Sequence, residues 1–282
     1  MYKAKFIGEN NNNFYFQPTN NVIYDIEGLS NLSVSLGTAQ GFGQVGDTVQ
    51  TASISGRNIT IKGHIYNNFN DTKTAIRKAF PPFQRGKLIF EDEYYIYCYV
   101  KNTPEFSPVN NNGKFMLQLY APYPMFRKLN KSIFYIGAVQ PMFRFPVNYS
   151  EPHYFGVKSP AKYVNVYNDS DISIPYRVDF ATTTTSENLK LTNIKTFEHL
   201  KLNGTISKGD KVSIYQDSDN QLRAELIKNG EITDIISWID EKSTLYELAI
   251  GDNLILASDD NEGRTLSAII SFDTAVGAVY ET

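Results

Sequence analysis

Ile59, Ile61, Gly63 and Ile65 alternate with Thr60, Lys62 and His64. A repeat of two places one set of side chains on each face of an extended strand, whereas a helix needs a repeat near 3.6. The same alternation recurs at Tyr94 to Val100, at Phe115, Leu117 and Leu119, and in the second half at Val164/Val166, Val212/Ile214, Leu254/Leu256 and from Ile269 onward. Turn-forming clusters such as Asp217-Ser218-Asp219-Asn220 and Asn229-Gly230 separate these runs. The chain therefore reads as mainly β throughout. One segment departs from this: Asp71 is positioned to cap a helix through Thr74, Ala75, Ile76, Ala79 and Phe80, which Pro81-Pro82 would end.

At 282 residues the chain is long enough for about two domains of roughly 150 residues each. The net charge of -3 hides an asymmetry. Residues 1 to 160 carry 16 Lys and Arg against 10 Asp and Glu, while the remainder carries 11 against 20. Of the 37 Tyr and Phe, 28 lie in the first 160 residues. Six of the 12 prolines (Pro122, Pro124, Pro141, Pro146, Pro152 and Pro160) crowd the seam. Composition thus divides the chain into an α+β domain over residues 1–135, a proline-rich junction over 136–160, and a β-sandwich over 161–282. The first would be a sandwich or barrel of strands with one short helix.

Chemistry-bearing motifs are few. Gly41-Phe42-Gly43-Gln44-Val45-Gly46 spells a dinucleotide fingerprint, but β-branched, extended residues (Thr48-Val49-Gln50-Thr51) follow it where a phosphate site needs a helix N-terminus, so it reads as a glycine loop. His64, His153 and His199 show no metal-ligand spacing. Cys98 alternates with Ile96 and Val100 on an apolar strand face, which is where an inert, packed thiol belongs, and one cysteine closes no disulfide. Neither a G-x-S-x-G elbow nor a nucleotide-hydrolase loop occurs. No catalytic residue, cofactor site or metal site is assigned. The acidic turns at Asn168 to Asp171, Asp217 to Asn220 and Asp259 to Gly263 have oxygen-rich character that calcium prefers, yet Asp and Asn are also what hairpin turns select, and the turn reading is preferred. Trp238, between Ile236 and Ile239, reads first as a core residue and is also the one candidate for stacking on a sugar ring. The absence of an apolar run of about 18 residues leads us to expect a soluble protein without membrane contact.

Taken in order, the segments Gly56-Arg57-Asn58-Ile59-Thr60-Ile61, Asp71 to Phe80 with Pro81-Pro82, Gly86-Lys87-Leu88-Ile89-Phe90, Tyr94 to Val100 and Phe115 to Pro124 resemble the distal tail protein (Dit) family of long non-contractile-tailed phages. In the second half, Ile206 to Ile214 and Leu248 to Leu256 continue the resemblance, which spans nearly the whole chain. It implies a tail-tube-like first domain assembling with copies of itself into a six-membered ring around the DNA exit channel, and a galectin-like or carbohydrate-module-like sandwich outside it. It also implies a place at the virion tail tip, after synthesis in the bacterial host cytoplasm. The implied partners are the tail tube protein and a tail-associated lysin or hub protein, with genomic DNA passing through unbound. A receptor-binding protein is a further partner in relatives that carry a long arm in the second domain, and the 122 residues after 160 leave little room for one. Gly41, Phe42, Gly43 and Gly46 then become the expected ring-assembly loop. The rival expectation is an adhesion module whose second domain recognises host cell-wall polysaccharide.

Overall fold

A computed structural model describes residues 3–16, 19–109, 112–137, 139–141, 156–158, 163–217, 220–260 and 265–280. His153 and most of the 136–160 stretch lie outside the described residues, as do Ser218, Asp219 and Asn261 to Gly263. The chain forms two compact units, Met1–Asn130 together with Ala275–Thr282, and Lys131–Thr274. The first unit thus ends between Pro124 and Pro141, ahead of the 136–160 junction, and takes in residues 275–282, which composition places with the sandwich.

In the first unit, antiparallel strands follow the order Asn13–Tyr15, Ala4–Gly8, Arg85–Phe90, Tyr94–Val100, Asn112–Ala121, Arg57–Ile65 and Asn21–Glu27. The Arg57–Ile65 alternation becomes real burial: Ile59 and Ile61 are fully enclosed, and Ile65 nearly so. Cys98 is equally enclosed, and burial pushes its thiol up to about 12, which leaves it protonated and inert at neutral pH. Aromatic rings fill the core beneath the sheet. Phe80 packs on Phe6 with ring centroids 4.6 Å apart, and on Phe14 and Phe16 at 5.9 and 6.2 Å.

The helix runs Phe69–Ala79, three residues earlier than the Asp71 cap would place it. Its N-cap is Asn68, in the left-handed region (φ 51°) and without a side-chain capping bond. Phe69 is drawn into the core at 5% exposure, so packing rather than a cap sets the helix start. Asp71 instead sits in the first turn, where a carboxylate faces the positive end of the helix dipole. Phe69, Thr72, Ile76 and Ala79 form the buried stripe, and Phe80 follows the helix as its C-cap.

The second unit holds a six-stranded antiparallel sheet (Ser132–Ile136, Leu266–Phe272, Arg177–Thr182, Lys211–Gln216, Leu222–Lys228, Glu231–Asp234) and a four-stranded one (Tyr163–Asn168, Gly251–Ser258, Lys190–Asn193, His199–Lys201). Val178, Phe180, Val212, Ile214, Ala268 and Ile270 are buried on the first sheet, and Val166, Leu191, Ile255 and Ala257 on the second. Each sheet has one dry face, as a β-sandwich requires. The turns are organised by buried amides. Asn168 donates to the carbonyls of Leu248 (2.9 Å) and Ile172 (3.2 Å) and accepts from the Ser170 N–H (3.0 Å). Asn253 does the same at Ala249, accepting its N–H at 3.0 Å and donating to its carbonyl at 2.8 Å.

Replacing Phe80 with Ala removes the ring that three others pack against, and should cost about 3–5 kcal/mol in urea unfolding. On the surface, the ammonium groups of Lys3 and Lys5 lie 2.6 and 2.9 Å from Asp92 and hold its carboxyl down at about 2. A carboxyl lowered by folding stabilises the fold above its unfolded value near 3.9 and loses that contribution as pH falls toward 2. A carbon-detected NMR titration should therefore place the Asp92 midpoint near 2, with amide protection of Ala4–Gly8 falling across the same interval; a midpoint near 4 would refute the pairing.

Candidate assembly surface

Between the Asn21–Glu27 and Arg57–Ile65 strands the chain leaves the sheet and forms a hairpin of its own, Val34–Ala39 paired with Thr48–Ile54. This two-stranded sheet shares no strand with the larger one. Its register puts Val34 opposite Ile54 and Leu36 opposite Ala52. Beyond these pairs the register shifts between Gly37 and Thr38, so that Thr38 faces Val49. A bulge adds one residue to a strand and re-aims the side chains that follow it. Here it returns Val49 to the face already holding Val34, Leu36 and Ile54. Ser35, Thr51 and Ser53 occupy the opposite face.

The apolar face is uncovered within the chain: Val34, Leu36, Val49 and Ile54 are exposed at 54, 56, 54 and 43%. Phe42 and Val45 at the tip are fully exposed. Within residues 34–54 Asp47 is the only charged side chain. An isolated two-stranded hairpin is marginal in water, and contiguous exposed apolar surface marks an interaction site.

Gly41, Phe42, Gly43 and Gly46 lie at the tip of this arm. Residues 41–46 form the turn between the two strands, which begins after Ala39 and ends before Thr48, and the turn itself is tied. Gln44 donates its N–H to the Gly41 carbonyl (3.1 Å), while its side chain accepts from the Gly41 N–H (3.0 Å) and donates to the Thr48 hydroxyl (2.9 Å). Gly43 and Gly46 take φ of 77° and 85°, the left-handed region that favours glycine. Sequence reasoning missed the arm's apolar face, although Val34-Ser35-Leu36 and Ala52-Ser53-Ile54 carry the alternation that encodes it.

The described residues contain no group of three or more His, Cys, Asp or Glu side chains able to hold a metal ion. His64 lies between the rings of Tyr24 and Tyr66, at 4.9 and 5.9 Å. Trp238 is half-buried in a short 3-10 turn, Ile236–Trp238, not sealed in the core as its isoleucine neighbours suggest. Its ring lies so close over Gly204 that a Cβ there would come within 2.1 Å of it. One face of the indole is therefore already covered by the chain. The cleft lined by Tyr176, Leu200, Ile214 and Tyr246 encloses about 40 Å³, room for water rather than for a sugar ring.

Three solved structures share this architecture over nearly its whole length. The Dit protein of phage SPP1, described as a paradigm of the hub adsorption apparatus in Gram-positive-infecting phages, superposes with a TM-score of 0.66 at 12% identity. The match covers 96% of this chain and 98% of that one. The fold is that of the SPP1 Dit protein. A chain of the phage P2 baseplate in its activated conformation with Ca gives a TM-score of 0.57 at 10% identity, and one with Sr gives 0.54 at 11%. Each covers 99% of this chain and 100% of its own. No protein-family model and no curated protein matches the sequence. No helix among the described residues of this Dit-like chain is long and apolar enough to cross a membrane.

Because the arm's apolar face has nothing of its own chain to lose, the double substitution Leu36→Ser, Ile54→Ser should change stability by no more than about 0.5 kcal/mol, measured by urea unfolding at a dilution where the chain is monomeric. A loss of several kcal/mol would mean that the face is covered in the monomer.

Proposed function

We propose that this chain is a structural hub protein of a phage tail tip, closing with five further copies into a ring that joins the tail tube to a tail-associated lysin or hub protein. The observation that carries the reading is the arm: an amphipathic hairpin with its apolar face and tip unburied, at the position where the sequence resemblance calls for assembly. A neighbouring copy supplies the surface that this face needs. The arm and its landing surface are different parts of the molecule, so the contact is heterologous, and heterologous contacts close into rings when the rotation permits.

In this reading DNA passes through the ring without being held, and some cations of the first unit are already engaged by its own carboxylates. DNA affinity rests on free cations that displace counterions from phosphates. In the first unit Lys62 pairs with Asp25 at 3.1 Å and with Glu27, and Arg85 pairs with Glu9 at 3.4 Å. Lys3 and Lys5 share Asp92. In this reading the sandwich of the second unit decorates the outside of the ring.

Light scattering on the purified full chain, with and without the tail tube protein as a template, should report six times the 31.9 kDa chain mass. Deletion of Gly41 to Gly46 should abolish that species and leave a folded monomer. A ring unchanged by the deletion, or a wild-type chain monomeric under both conditions, would overturn the assignment.

A further inference from the structure

Arg57 is only 3% exposed, and all of its hydrogen-bond partners are backbone carbonyls. Its Nε donates to Pro124 (2.7 Å), Nη1 to Gly28 (2.5 Å) and Leu29 (2.8 Å), and Nη2 to Gly277 (2.5 Å). The guanidinium carbon lies 4.7 Å from the centre of the Phe126 ring. No carboxylate of the described residues pairs with it. A buried charge without a counter-ion is costly, and the cost is tolerated only while the carbonyls are in place. Burial draws the group below its ordinary value, yet a guanidinium stays protonated and cannot escape by losing its proton.

The carbonyls come from three separate stretches of chain. Gly28 and Leu29 precede the arm, which begins at Val34, and Arg57 itself follows the arm's last strand residue, Ile54. Arg57 therefore ties one root of the arm to the other. Gly28 takes φ 91° and passes so close to the Asn58 carbonyl that a Cβ would lie 2.1 Å from it. The Ser55 N–H donates to the Ser33 carbonyl at 3.0 Å, immediately below the hairpin. The third stretch is Ala275 to Val279. Ala275 and Val276 pair with Arg127 and Phe126, Gly277 gives its carbonyl to Arg57, and the buried Val279 donates its N–H to Leu29 at 3.2 Å.

We propose that Arg57 is the positioning residue of the assembly arm, and that it locks the arm's root only when the segment Ala275 to Val279 has docked. Loss of this segment leaves Nη2 without an acceptor inside the first unit and removes the N–H partner of Leu29, which weakens the hold on both roots together. An arm whose roots are not held presents its apolar face without a set direction, which disfavours assembly. The consequence for assembly rests on the arm reading given above. The locking itself is a property of one chain and is read on the monomer.

Amide hydrogen exchange on the dilute, monomeric full-length protein tests it. Val279→Asp should unseat that segment, and Arg57→Lys should keep the charge while losing the fork. Both should raise exchange at Ser55 and along Val34–Ala39 at least tenfold, with the Phe69–Ala79 helix and the second unit unchanged. Reciprocity requires that Arg57→Lys also speed exchange at Val279. A freed Val279 amide with Ser55 still protected would overturn the coupling. So would equal loss of protection in the helix in both variants and in the milder Val279→Ala, because that would be global unfolding rather than a local lock. Ring mass, measured separately at high concentration, reports on the assembly reading alone.

Discussion

The Arg57–Ile65 strand is the constraint on which the first unit depends. It pairs over nine residues with Asn112–Ala121 on one side and with Asn21–Glu27 on the other. Its dry face can be hidden only beneath the helix and the phenylalanine cluster, which fixes where both must lie. Its first residue is the arginine that gathers the arm's roots. A slip of one position would expose Ile59 and Ile61 and move the guanidinium to the opposite face, so strand register and arm placement are one decision. The aromatic bias of the first half has a related cause. Gly63 lies directly opposite Phe115, and a Cβ at Gly63 would come within 2.2 Å of that ring, so the ring lies flat across the strand in space that a side chain would otherwise fill.

Strands with one wet face are legible because alternation is written in their letters, and Arg57–Ile65, Tyr94–Val100 and Asn112–Ala121 all declare themselves. Elements set by tertiary packing are not. The helix begins after Asn68, whose side chain makes no capping bond, so the capping cue at Asp71 points one turn inside the helix. The glycines of Gly41 to Gly46 sit at the arm's tip and say nothing of the pairing beneath it, which is written instead in the alternation of Val34-Ser35-Leu36 and Ala52-Ser53-Ile54. Arg57 is the least legible residue of all. Arginine is ordinarily a surface residue, and nothing local announces that four carbonyls from distant segments will close around it.

Sharing a whole architecture at 12% identity is physically reasonable for such a chain. A β-sandwich asks for apolar residues of about the right size on one face of each strand, and many sequences meet that demand. The turns ask for amides able to satisfy backbone groups, as Asn168 and Asn253 do. Neither requirement fixes many individual letters, and the two together fix the topology.

The second unit leaves the first after Asn130, and the chain re-enters the first at Ala275. The strands on either side of this excursion, Phe126–Lys128 and Ala275–Val276, are hydrogen-bonded neighbours. Everything between them is a loop from the standpoint of the first unit's sheet, and the length of an excursion between two fixed, adjacent ends adds little to the entropy of closing it. The sandwich is thus a cassette: evolution can enlarge, shrink or exchange it without disturbing the scaffold that carries it, and other modules can be grafted at the same two stumps.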